Sequence, residues 1–201
     1  MRDFSKTSII ELAAIVAEHL ERHGIDVVLV GGLAVEIYTD NLYLTKDIDM
    51  VNTNYQTPKK MNPALAELGF HKEGRIYVND TTDITLEFPP GPLAVGNTLI
   101  SVDQITRVGE GQIPILGIKD VIKDRLAAYI HWGDQQSLIQ ALAMMLKHDI
   151  EPNTFQEFCT QEGASASYTL LKALYTEAES QQVTTMEHLE TLLTKTLLDS
   201  L

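Results

Sequence analysis

The 201 residues predict an α+β fold with a helical C-terminal half. Three observations carry that prediction. A helical apolar pattern opens the chain, strand-like runs follow to residue 116, and everything from Lys119 onward has helical spacing. A helix-length segment separates the first two strand runs, so they are joined by a crossover and not by a tight turn. Hydrophobic residues make up 44% of the chain, enough to bury a core at this length. The pattern divides the chain into a sheet-bearing core over 1–117 and a helical region over 118–201. That boundary is soft, and a single domain stays open.

Each element has its own local signature. Ile9, Leu12, Ala13, Val16, Ala17 and Leu20 share one helical face; Ser8 with Glu11 reads as a capping box and Gly24 as the stop. Val27–Val30 is an apolar strand that runs into Gly31-Gly32, and residues 33–38 read as a helix. Residues 45–51 form the second strand. Thr57 before Pro58 gives an N-cap with proline at the first helical position, and Gly69 closes that helix. Residues 75–78 and 83–88 read as a hairpin, followed by the stiff Pro89-Pro90-Gly91-Pro92 loop. Residues 99–102, Ile105–Val108 and Ile113–Leu116 are shorter strand candidates. In the helical half, Leu171, Leu174, Tyr175 and Ala178 make one apolar stripe, and Met186, Leu189, Leu193 and Leu197 another. Both fit a core or a homodimer surface.

Composition narrows the classes of partner. The formal net charge is −13, whereas a protein built to grip long nucleic acid presents a basic surface. A small substrate or a protein partner is therefore favoured over duplex DNA or RNA. No apolar run is long enough to span a membrane, and the first twenty residues carry no secretory pattern. The single cysteine, Cys159, cannot form an intramolecular disulfide. These features together set the expectation of a cytoplasmic location.

The chemistry concentrates after the first strand. Asp47 and Asp49 are two residues apart on a strand, so their side chains share a face while Ile48 and Met50 take the other. Two like charges this close call for a cation between them, and hard oxygen ligands suit Mg²⁺ or Mn²⁺. Gly31 and Gly32 allow the backbone to approach a ligand closely, and the N–H groups opening the next helix can hold phosphate oxygens. Without the acids, the glycines would read as an ordinary turn; without the glycines, the acids would read as a solvated turn.

The combination Val30-Gly31-Gly32, a helical spacer and Asp47-Ile48-Asp49-Met50 resembles the nucleotidyltransferase superfamily of the polymerase-beta type. The nearest likeness is to the bacterial branch containing AbiEii-type toxins and many uncharacterised small proteins. That branch often carries Arg-x-Thr-x-Asp before the acid pair; Thr45 and Asp47 match, and Tyr43 stands in the arginine position. The resemblance implies a small mixed β-sheet with flanking helices, and transfer of a nucleoside monophosphate from an NTP to an acceptor hydroxyl. Asp47, Asp49 and a third carboxylate would hold Mg²⁺ or Mn²⁺, and Gly31, Gly32 and Thr45 would lie against the nucleotide. Glu87, flanked by Leu86 and Phe88, best fits the third acid, with Asp83 on the same strand face as the alternative. The resemblance also places a cation in the helix after the sheet, which Arg125 or Lys123 would supply, with Asp134 about ten residues on. The competing reading of those cations is helix-surface ion pairing, since Asp120, Lys123 and Asp124 stand at i, i+3 and i+4. A second function class keeps the fold without the activity, as a binding module or toxin–antitoxin component. His19 and His23, at i and i+4, could share a metal, but the sequence offers no third ligand. No zinc or serine-hydrolase motif is present.

Overall fold

The computed structural model describes residues 2–199 and divides into two compact units. The first unit comprises the chain to Ile37 together with Leu44–Ala94 and Thr98–Gly117. The second comprises Tyr38–Tyr43, Val95–Asn97 and the chain from Ile118 onward.

The first unit is built on a seven-stranded mixed sheet. Its elements in chain order are α1 (Ile9–Arg22), β1 (Val27–Val30), α2 (Gly31–Thr39), β2 (Asp47–Asn52), α3 (Pro58–Glu67), β3 (His71–Glu73), β4 (Ile76–Asn79) and β5 (Thr82–Glu87). Two-residue strands β6 (Ala94–Val95) and β7 (Thr98–Leu99) form a separate ladder, and β8 (Ile105–Val108) and β9 (Ile113–Leu116) complete the large sheet. The spatial order is β3-β4-β5-β2-β1-β9-β8. Strand β2 is central: it pairs antiparallel with β1 and parallel with β5, while β1 pairs parallel with β9 on its other edge. A strand covered on both faces of the sheet reads as a continuous apolar run, and Val27, Val28 and Leu29 are all buried. Helix α1 lays its buried face of Leu12, Ala13, Val16, Ala17 and Leu20 against β1, β9 and α3.

The helix ends follow the sequence signals with one exception. The Ser8 hydroxyl accepts the Glu11 N–H at 3.2 Å at the start of α1. At its end Gly24, at φ +65°, donates to Glu21 and Ile25 donates to Leu20, the paired bonds of a Schellman stop. Helix α3 starts at Pro58 as expected, but the Thr57 side chain makes no capping bond, so the fixed φ of Pro58 sets the entry.

Three assignments differ from the expectation. Helix α2 begins at Gly31 and not at residue 33, because the chain turns straight out of β1. Strand β3 carries His-Lys-Glu and is wholly exposed; an edge strand needs no apolar face, and its charges discourage further pairing. Residues 99–102 are not a strand: β7 stops at Leu99, and Val102–Gln104 forms a 3-10 turn.

The second unit is helical, with α4 (Ile118–Trp132), α5 (Gln135–Lys147), α6 (Gln156–Gln161), α7 (Ser165–Ser180) and α8 (Met186–Leu198). Helix α5 packs against α4, α7 and α8, and its residues Ser137 to Met145 are buried on every side. Leu171, Leu174, Tyr175 and Ala178 of α7 and Leu189 and Leu193 of α8 face this core. Among the described residues no helix is long and apolar enough to cross a membrane.

Candidate functional site

Strand β2 positions the two aspartates. Its burial alternates through Ile48 and Met50, both essentially inaccessible, so Asp47 and Asp49 emerge together on the opposite face. Asp49 lies across the ladder from Val30, the last residue of β1. The Asp49 carboxylate therefore reaches over Gly31, the first residue of α2. Gly31 has φ +65°, and a Cβ built there would sink into that carboxylate, 3.0 Å from its Cγ. Glycine is thus required twice at this position, by backbone conformation and by the acid beside it. The result is a carboxylate held at the N-terminal end of a helix, where backbone N–H groups point outward and the dipole favours negative charge.

Asp47 is more exposed, and its neighbours fix its direction. The Thr85 hydroxyl donates to Asp47 Oδ1 at 2.6 Å, and the Asp47 N–H donates to Thr45 Oγ1 at 3.2 Å. The Thr45 N–H in turn donates to Glu36 Oε2 at 2.9 Å. Glu36 sits on α2 and is only 4% exposed. One buried carboxylate thereby ties the helix after the glycines to the loop entering the acid pair. Thr45 acts here as a brace for Asp47.

The parallel register with β5 sets Thr85 beside Asp47 and Glu87 beside Asp49, all on one face of the sheet. The Glu87 carboxylate approaches the exposed Arg75 guanidinium at 4.0 Å. Asp83 shares the same strand face but is exposed and ion-paired with Lys46, whose hydrogen bond and charge hold its carboxyl below the usual range. Among the described residues the three carboxylates of Asp47, Asp49 and Glu87 do not gather within 4.8 Å of one another. His19, His23 and Glu67 do. The donor set of the β2–β5 face consists of hard oxygens, which fits Mg²⁺ or Mn²⁺, and Gly31 keeps the space around Asp49 clear.

Lys123 and Arg125 belong to the second unit. Lys123 Nζ lies 3.2 Å from Asp120 Oδ1, and Arg125 Nε donates to Asp124 Oδ2 at 3.0 Å, so both cations are paired with acids of their own helix. Asp134, a counterpart of the family's downstream acid by the resemblance, caps α5: it accepts from the Gln136 N–H at 3.1 Å and the Ser137 hydroxyl at 2.7 Å. Cys159 is buried in the same unit, and burial pushes its thiol up to about 11, which suits packing and not nucleophilic attack.

Two features lay outside the sequence reading. Glu36 had a visible signal, a lone acid in the apolar run Gly-Gly-Leu-Ala-Val-Glu-Ile. Glu67 had none, because nothing local links it to two histidines more than forty residues earlier.

Residues 10–64, which hold all but the first residue of α1, the glycine turn and the acid pair, match the model of a nucleotidyl transferase family of unknown function, DUF2204. No curated protein matches the sequence. Among solved structures, the fold is similar to the crystal structure of an antigenic nucleotidyltransferase-like protein from Paracoccidioides brasiliensis. The match has a TM-score of 0.53 at 15% identity and covers 91% of this chain and 90% of that one. The solution structure of the antibiotic-resistance factor ANT(2'')-Ia matches with a TM-score of 0.43 at 14% identity, over 86% of this chain and 95% of that one. The fold of this chain is thus similar to that of a nucleotidyltransferase-like protein, and the segment with its first helix, glycine turn and acid pair carries the sequence likeness to a nucleotidyl transferase family.

Proposed function

We propose that this protein transfers a nucleoside monophosphate from an NTP to a hydroxyl of an acceptor, with loss of pyrophosphate. The observation that carries the reading is the juxtaposition of Gly31 and Asp49. A glycine in a left-handed turn clears the space for an acid at a helix N-terminus, and that acid shares a sheet face with Asp47 and Glu87. Asp47, Asp49 and, after a turn of its side chain away from Arg75, Glu87 would hold Mg²⁺ or Mn²⁺. When bound, the ion would neutralise phosphate charge and orient the triphosphate. Gly31, Gly32 and the N–H groups opening α2 would cradle phosphate oxygens. Thr85 and Thr45 keep Asp47 aimed, and Glu36 keeps Thr45 in place. Glu87 would also be the group to accept a proton from the acceptor hydroxyl. Arg125 and Lys123, paired with Asp124 and Asp120 of their own helix, are given no role in this reading.

A second reading, a catalytically inactive binding or toxin–antitoxin component on the same fold, draws support from two observations. Glu87 turns to Arg75, and both candidate cations are already paired. A screen of the four NTPs with Mg²⁺ or Mn²⁺ separates the two. Nucleotide binding with pyrophosphate release or self-labelling, lost in Asp49→Asn, is the expected outcome. Binding without turnover supports the inactive module. Equal calorimetric heats for wild type and Asp49→Asn would remove the basis of the first.

A further inference from the structure

A second cluster lies in the first unit on α1 and α3, built from imidazoles in place of the hard oxygens of the β2 face. His19 and His23 stand one turn apart at the end of α1, and Glu67 is the last residue of α3. Both imidazoles converge on one carboxylate oxygen: Glu67 Oε2 lies 3.2 Å from His23 Nε2 and 3.6 Å from His19 Nε2. Metal–ligand bonds of about 2.0–2.1 Å in a tetrahedral site put neighbouring ligand atoms about 3.3–3.4 Å apart, and the two observed distances straddle that edge. The other nitrogen of His23, Nδ1, is 2.9 Å from the His19 carbonyl. With the proton on Nδ1 donating there, Nε2, 3.3 Å from Glu67 Oε1, would present its lone pair to an ion held between the imidazole and the carboxylate. This is the outer-shell bond that orients metal-bound histidines. Both helices present their C-terminal ends here, where the carbonyls carry partial negative charge and favour a cation.

We infer that His19, His23 and Glu67 form a binding site for a zinc-class dication, with a fourth position open to solvent on the side of the exposed Glu67. Binding exchanges the contact of His19 Nε2 with the Ala64 carbonyl, 2.8 Å away in the last turn of α3, for the metal bond. The ion would staple the ends of α1 and α3. Imidazole ligands select zinc, cobalt or nickel over magnesium, so this site and the carboxylate face take different ions.

Calorimetry with Zn²⁺ alone, and the visible absorption of tetrahedral Co²⁺, test the site on the full chain. His23→Asn and Glu67→Gln serve as variants because those side chains are partly exposed; His19, which is mostly buried, is left intact. A single Zn²⁺ should bind to wild type and raise its Tm. Its affinity should fall at least about tenfold in each variant and stay unchanged in Asp49→Asn, in line with the usual loss when a metal's partners are removed. Equal Zn²⁺ affinity in wild type, His23→Asn and Glu67→Gln would overturn the inference and leave a histidine–glutamate hydrogen-bond pair joining two helices. Absence of Zn²⁺ binding, or binding lost in Asp49→Asn and kept in His23→Asn, would overturn it equally.

Discussion

Gly31 is where conformation and chemistry meet in a single residue. Its φ of +65° lies in the left-handed region, and the Asp49 carboxylate occupies the space a side chain would need. Gly31→Ala should therefore lower stability by about 1–3 kcal/mol through backbone strain, with the steric clash added, and should displace Asp49. A urea unfolding curve checks the first effect and Mg²⁺–NTP calorimetry the second; an unchanged midpoint would show that the turn tolerates a side chain. Asp83 gives a second residue-scale prediction. Lys46 holds its carboxyl below the usual range, so the sign of the linkage is that of a depressed acid. The pair's contribution is present above the ordinary carboxylate pKa and fades as pH falls through the lowered folded value. NMR titration should find Asp83 protonating later than an unperturbed aspartate on acidification, and Lys46→Ala should remove the difference. Since Asp83 is fully exposed, the exchange should leave stability nearly untouched.

At the scale of elements, two acids of similar sequence appearance separate by what they hold. Asp134 receives the Gln136 N–H and the Ser137 hydroxyl, which makes it the N-cap of the most buried helix of its unit. Asp134→Ala should cost about 1 kcal/mol, the usual loss of such a cap, while Asp134→Ser retains most of the stability. Thermal unfolding of the two variants distinguishes them; equal Tm values for both would mean the cap does not contribute. Glu36 instead holds a loop and not a helix end. Its carboxylate receives the Thr45 N–H, Thr45 receives the Asp47 N–H, and Thr85 donates to Asp47 from the neighbouring strand. Three elements, α2, β2 and β5, thus converge on the direction of one aspartate. The connection through α2 is not the crossover the pattern suggested, because it returns β2 antiparallel beside β1; the crossover comes later, where α3, β3 and β4 lead to β5, parallel on the other side of β2.

For the whole molecule, charge decides the class of partner. With 28 acidic and 15 basic side chains, few phosphates of a duplex can be neutralised at once. Generic duplex DNA should bind poorly at physiological salt in a gel-shift titration. Tight binding that weakens steeply with added salt, and is lost when Lys119, Lys123 and Arg125 are replaced, would make nucleic acid the leading acceptor class. The sequence by itself determined the features that live at short range. These are the apolar β1 run, the glycines that end it, the common face of Asp47 and Asp49, and the helical pattern after residue 118. Each follows from a period of two or 3.6 residues or from a neighbour within one turn. Only the tertiary structure decided which strand lies beside β2 and in what register, so that Glu87 falls next to Asp49 while Asp83 pairs with Lys46. It alone brought Glu36 under Thr45, and Glu67 between His19 and His23. The edge strand β3 was hidden for a related reason: a fully exposed strand buries no face and leaves no apolar alternation to read. Contacts between residues nine to fifty positions apart have no local period. They are set by how helices and strands of fixed pitch pack around a shared core, and that packing is decided by the chain as a whole.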